Sequence, residues 1–96
     1  MEYTFSVENK QKTISFLREY TKLCLKHKAV VMGIIGAETT IFAYFKDEYS
    51  GYVVKDKVRS NICGIISNLY DDSGNHEISS EDEAYIYNAV KDLLKE

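Results

Sequence analysis

Hydrophobic and polar residues alternate at the start of the chain and then change to a helical spacing. The stretch EYTFSV places Tyr3, Phe5 and Val7 on one side, which is typical of a half-buried strand. Ser6 and Asn9 are alternative caps for the helix that follows. The apolar face predicted for this helix is wide and consists of Ile14, Phe16, Leu17, Tyr20, Leu23, Cys24 and Leu25.

Two short apolar stretches in the middle of the chain predict a β-hairpin. AVVMGIIG is continuously apolar and rich in β-branched residues, and TIFAYF follows it after the turn GAET. Both faces of the second stretch are apolar, so each face needs a cover. Helices can cover one face, and a second copy of the chain is the simplest cover for the other. We therefore expect a homodimer, with an interface formed by Phe42, Tyr44, Tyr49 and Tyr52.

Two more helices are predicted in the second half of the chain. From about residue 52 to 70, apolar residues recur at spacings of three and four. Ser80 and Glu83 have the spacing of a capping box at the start of a last helix, whose apolar face contains Ile86 and Val90. The predicted fold is one α+β domain over residues 1–96, in the order β-α-β-β-α-α, with an apolar β-hairpin covered by three helices.

Composition and charge narrow the classes of function. The formal net charge of -3 argues against a general binder of DNA or membranes. The chain shows no secretory signal pattern and no apolar stretch of membrane-spanning length, which predicts a cytoplasmic protein without a membrane partner. Cys24 and Cys63 have no metal-binding spacing, and their apolar neighbours predict buried free thiols.

A basic stripe on the first predicted helix is a candidate contact for phosphate groups. Arg18, Lys22 and Lys26 repeat at intervals of four residues, opposite the apolar face. The favoured interpretation is a solvated face, or a face that attracts the acidic second half of the chain or a neighbour, so nucleic acid is not the expected partner. Residues 71–96 hold eight Asp and Glu, against six Lys and Arg in residues 8–28.

The segment YDDSGNHEISSEDE carries oxygen-bearing side chains at regular intervals between two predicted helices. The candidate metal ligands are Asp71, Ser73, Asn75, Ser79 and Asp82. Over this dozen residues the segment resembles the calcium loop of the EF-hand family, which implies a metal or ligand sensor. His76 stands where that family needs Gly, and Asp82 replaces the longer Glu. A turn followed by a capped helix is the favoured interpretation, and no metal or other cofactor is expected.

No catalytic or phosphate-binding motif is visible, so we do not expect an enzyme. GIIGAETT lacks the spacing of a phosphate-binding loop, and no nucleophile motif is present. The main hypothesis is a small, acidic, non-enzymatic protein-binding module that inhibits or sequesters a partner protein. Phage-type antagonists of host defence, including anti-CRISPR proteins, and toxin-immunity proteins are the settings expected. A degenerate EF-hand-like sensor and a nucleic-acid-associated protein are the alternatives.

Overall fold

Helices form most of the described part of the chain. The computed structural model describes residues 3–34, 40–45 and 51–95, and the side chains of residues 3–30 and 54–95. In chain order the elements are α1 (Val7–His27), β1 (Ala29–Ile34), β2 (Thr40–Phe45), α2 (Gly51–Ser67), α3 (Ser80–Asn88) and a 3-10 helix (Lys91–Leu94).

The ends of α1 are defined by local hydrogen bonds. Ser6 is the N-cap, because its side chain accepts a hydrogen bond from the backbone N–H of Asn9 at 3.1 Å. At the other end, Lys28 adopts the left-handed conformation with φ 52°, and its N–H donates to the carbonyls of Cys24 and Leu25. Of the two predicted caps, Ser6 is therefore the one used, and the helix begins earlier than the apolar spacing indicates.

The hydrophobic core lies between the helices. It includes Ile14 and Leu17 of α1, and its centre contains Val58 and Ile62 of α2 together with Ile86 of α3, all three of which are inaccessible to solvent. Of the described core side chains, only Val30 belongs to a strand. Burial of large aliphatic side chains between helices is therefore the main source of stability in this part of the chain.

The predicted fold class is wrong. The chain does not follow the order β-α-β-β-α-α, because residues 3–6 form no strand and the first element is α1. The backbone N–H of Asp72 donates to the carbonyl of Thr4 at 2.8 Å, and the N–H of Ser6 donates to the carboxylate of Asp72 at 3.2 Å. These backbone groups bond to the loop after α2 rather than to a neighbouring strand. The alternation of side chains shows which residues can share a face, but it does not show where the backbone groups bond.

The predicted arrangement of three helices that cover an apolar pair of strands is also wrong. The described strands β1 and β2 pair only with each other, in an antiparallel register that sets Val30 opposite Tyr44. α1 and α2 are packed against β1, while the main core lies among the helices themselves. The architecture is therefore a mostly helical one, and the expected central sheet layer is absent from the described residues.

Three smaller predictions also need correction. The N-cap of α3 is Ser79, one residue before the predicted Ser80, and its side chain accepts from the N–H of Asp82 at 3.2 Å. The last predicted helix is interrupted, since α3 ends at Asn88 and a separate 3-10 helix follows. Cys24 is buried as expected, but Cys63 is exposed.

Candidate functional site

The segment between α2 and α3 is a turn closed by its own backbone. The N–H of Asp71 donates to the carbonyl of His76 at 2.7 Å, and that of Ile78 donates to Leu69 at 3.2 Å. Gly74 has φ 74°, and its N–H donates to the carbonyl of Asp71 at 2.9 Å. Glycine suits this left-handed position because it has no Cβ. These backbone bonds close the turn between α2 and α3.

Asp71 anchors this turn from the inside. Its side chain is only 5% exposed, and Oδ1 accepts hydrogen bonds from Ser73 Oγ at 2.8 Å and from the N–H groups of Asn75 and His76 at 3.2 and 3.3 Å. Burial favours the neutral acid, but these bonds, with the backbone of Thr4, outweigh it and lower the pKa of Asp71. The carboxylate is therefore held in its charged form by the protein itself.

Asp82 faces the N-terminal segment. Its Oδ1 lies 2.9 Å from Lys10 Nζ, and its Oδ2 accepts a hydrogen bond from the hydroxyl of Tyr3. The Tyr3 hydroxyl also accepts from the N–H of Ser79 at 3.2 Å. Burial opposes ionisation of Asp82, but the hydrogen bonds from Tyr3 and Lys10 prevail and lower its pKa.

The predicted metal ligands therefore serve two separate purposes. Asp71, Ser73 and Asn75 close the turn, whereas Ser79 and Asp82 cap α3 and bind the N-terminal segment. Asp71 Oδ2 is buried without a hydrogen-bond partner, yet one oxygen is not a metal site. Among the residues that the structure describes, no group of three or more His, Cys, Asp or Glu side chains could hold a metal ion.

Asp72 connects the same loop to α1. Its carboxylate accepts from the backbone N–H of Ser6 at 3.2 Å and from Asn9 Nδ2 at 2.7 Å. The hydrogen bond from Asn9 and the bonds from Ser6 lower the pKa of Asp72. A negative charge at this position is also favoured by the dipole of α1. The sequence did not identify this residue, because its partners are more than sixty positions away.

The basic stripe is divided between two roles. Arg18 Nη1 lies 2.7 Å from Asp92 Oδ1 and donates to the carbonyl of Ala89 at 2.7 Å, so it fastens the 3-10 helix to α1. Lys22 and Lys26 are exposed. Arg18 thus pairs with the acidic second half of the chain, which is one of the expected interpretations. Of the three cations in the stripe, Lys22 and Lys26 remain exposed for contacts with phosphate groups.

The predicted interface residues cannot be placed. Tyr49 lies outside the described residues, and the side chains of Phe42, Tyr44 and Tyr52 also lie outside the described part of the structure.

A different apolar surface is exposed on α1, and we call it the outer strip. It consists of Phe16, Tyr20 and Leu23, at spacings of four and three residues. Phe16 is 61% exposed and Leu23 is 58% exposed, and the ring of Phe16 is stacked on that of Tyr20 with centroids 6.4 Å apart. The side chain of Tyr20 is held in place by α2, since its hydroxyl accepts a hydrogen bond from Asn61 Nδ2 at 2.8 Å.

The outer strip belongs to the wide apolar face predicted for α1. Of the seven residues of that face, Ile14, Leu17 and Cys24 are buried in one row with Thr21, whereas Phe16 and Leu23 are exposed. The only available signal was the width of the apolar face, which is greater than one row of core contacts requires. An apolar face that is wider than the core contact therefore indicates that part of the face is exposed.

Comparison of the chain with protein-family models, with curated proteins and with solved structures finds no match to any of them. Within the described residues, every helix is too short or too polar to cross a membrane.

We expect calcium to leave the thermal unfolding of this protein unchanged. The candidate ligands already bond to other protein groups, so an ion must break those bonds in order to bind. A ligand at one hundred times its Kd would stabilise the folded state by about 2.7 kcal/mol. Thermal scans with and without millimolar calcium check this, and a rise of several degrees that Asp71→Ala abolishes would show that the loop binds the ion.

Acid should destabilise the protein through the loop carboxylates. Because the folded-state pKa values of Asp71, Asp72 and Asp82 are lowered, the unfolded chain binds protons more readily than the folded one. Their contribution is present above the unfolded pKa of about 3.9 and is lost as the pH falls through the lower folded values. Urea unfolding at a series of pH values should show a shallower acid dependence for Asp82→Asn.

The control for this measurement is Glu81→Gln. Glu81 is exposed in the first turn of α3 and makes none of the contacts of Asp82. A slope for Asp82→Asn equal to that of Glu81→Gln and of the wild type would contradict the assignment.

Proposed function

We propose that the protein is a non-enzymatic binding module that inhibits or sequesters a partner protein through the outer strip of α1. The exposure of Phe16 and Leu23 supports this most directly. Large apolar and aromatic side chains that are adjacent on a rigid surface are typical of interface centres. Antagonism of host defence, of the phage or anti-CRISPR type, and immunity to a toxin are settings in which such a module would act.

The rigidity of α1 also supports a binding role. Ser6 and Asp72 hold its first turn, Arg18 connects it to the 3-10 helix, and Leu17 fixes it in the core. A surface that is already ordered loses little conformational entropy on binding, so more of the contact energy contributes to affinity.

The form of the outer strip indicates what kind of partner it suits. Phe16 and Leu23 are seven residues apart on one helix face, with Tyr20 between them. This is the anchor spacing with which a helix binds in an apolar groove. Glu19 and Lys12 are exposed on the same helix and would form part of a polar rim. We infer a partner with an apolar groove or pocket bordered by charges of both signs.

A second copy of the chain is one partner of this kind. The homodimer predicted from the sequence would in this case use the outer strip, with Phe16 and Tyr20 at its centre. We also place the action of the protein in the cytoplasm, as its sequence predicts. Light scattering distinguishes a monomer of 11.0 kDa from a dimer of twice that mass.

The partner should be lost when the outer strip is made acidic. Captures from the native cells with the wild type, Phe16→Glu and Leu23→Glu should return a protein only with the wild type. With the purified partner, each substitution should raise the Kd by about thirtyfold, which corresponds to about 2 kcal/mol at an interface hot spot. Each substitution removes only an exposed side chain, so the variants should remain folded by circular dichroism.

Val7→Glu is the matched control. Val7 is 71% exposed at the start of α1, outside the outer strip, and an acidic residue suits the first turn of a helix. It should retain the partner with wild-type affinity. A partner that binds Phe16→Glu and Leu23→Glu as tightly as the wild type would refute this assignment of the surface.

A further inference from the structure

Two cavities lie between α2 and the segment from α3 to the 3-10 helix, and together we call them the groove. Tyr87 lines the two cavities that form it, of about 450 and 310 Å³. Volumes of this size match those of small-molecule sites. The two cavities differ in chemistry, which gives the groove a cationic half and an apolar half.

Positively charged side chains line the cationic half, although the formal net charge of the chain is -3. Lys55, Arg59, Lys91 and Lys95 line it, against one carboxylate, Asp56. Asp56 lies 3.1 Å from Arg59 Nη1, and Lys91 and Lys95 add two further positive charges among the described lining residues. Lysine ammonium groups bind phosphate as point charges, and cations that converge on one cavity raise the local concentration of anions.

This half of the groove is held together by the fold. Lys55 Nζ donates a hydrogen bond to the carbonyl of Lys95 at 3.3 Å, which links α2 to the residue after the 3-10 helix. Leu94 is buried in the core beneath it. The positions of the cations are therefore set by elements that are packed together.

The apolar half offers a surface for a flat ring. Ile66 and Ala84 line it together with Tyr87, and the rim carries the hydroxyls of Ser67 and Ser80. A tyrosine ring that lines such a cavity is a stacking surface for a base, since every base has a π-face. Glu83 also lines this half, so phosphate groups are favoured in the other half and ring or sugar donors in this one.

We propose that the groove binds a small phosphorylated molecule with a flat ring, of the chemical class of a mononucleotide. The phosphates lie beside Lys91 and Lys95, and the ring lies against Tyr87. This site shares no residue with the outer strip, so it is independent of the proposed binding of a partner protein.

The two cysteines provide the readout. Cys63 is exposed and lines the apolar half, whereas Cys24 is buried in the core. A bound ring should shield Cys63 from a thiol reagent, and Cys24 reports any general unfolding. ATP should slow the labelling of Cys63 in a saturable manner at submillimolar concentration. Adenosine and inorganic triphosphate, which each provide one half of the ligand, should require concentrations at least about tenfold higher.

Two double variants with the same change in net charge test the cationic half. Lys91→Glu with Lys95→Glu should weaken the protection by ATP about tenfold or more. Lys22→Glu with Lys26→Glu, on exposed positions of α1, should leave it unchanged.

Three results would overturn the proposal. The first is labelling of Cys63 that millimolar ATP does not slow. The second is equal protection by ATP and inorganic triphosphate, which would mean that the groove binds the charged phosphates and does not recognise the ring. The third is equal weakening by both double variants, which would show an effect of overall charge. An acidic peptide that protects Cys63 where ATP does not would replace a nucleotide with a protein segment as the occupant.

Discussion

The contact between the loop after α2 and the start of α1 is the interaction on which the described structure depends. Asp72 bonds to Ser6 and Asn9, and Asp82 bonds to Lys10 and Tyr3, so two carboxylates fix the N-terminal segment from two sides. Charge-assisted hydrogen bonds of this kind are directional. They hold the start of α1, and the burial of Ile14, Leu17 and Cys24 turns one of its faces toward the core.

The exposure of the outer strip follows from that orientation. With Leu17 and Thr21 turned toward α2 and α3, Phe16 and Leu23 face outward. Arg18 lies beside this row and bonds to Asp92, which connects the 3-10 helix to α1. Two ion pairs, Lys10–Asp82 and Arg18–Asp92, thus join the basic first part of the chain to its acidic end. The two surfaces that we propose for partners are the outer strip of α1 and the groove along α2.

The sequence predicted local features better than long-range ones. The spacing of Val54, Val58 and Ile62 identified α2, since helical periodicity depends only on neighbouring residues. Residues 3–6 were misassigned because alternation describes a pattern of burial, and here Thr4 and Ser6 bond to Asp72 in a distant loop. The choice of a turn over a metal loop in residues 71–82 rested on His76 in place of glycine and on Asp82 in place of the longer Glu, and it stays a prediction.

The surfaces proposed for binding were harder to foresee for the same reason. Phe16 and Leu23 look like core residues to any measure of hydrophobicity, and only the packing of α1 shows that one row is buried and the next is not. The groove gathers Lys55 and Lys91 from elements that are far apart in sequence. Neither spacing nor composition can reveal such a convergence.

Hydrogen exchange in wild type and Asp72→Ala tests most directly whether the loop fastens α1. The substitution removes the carboxylate that accepts from Ser6 and Asn9 and leaves the core side chains in place. We predict faster deuterium uptake in a peptide that covers residues 3–12, with unchanged uptake in one that covers residues 58–66 of α2. Equal uptake by wild type and variant over residues 3–12 would contradict the account.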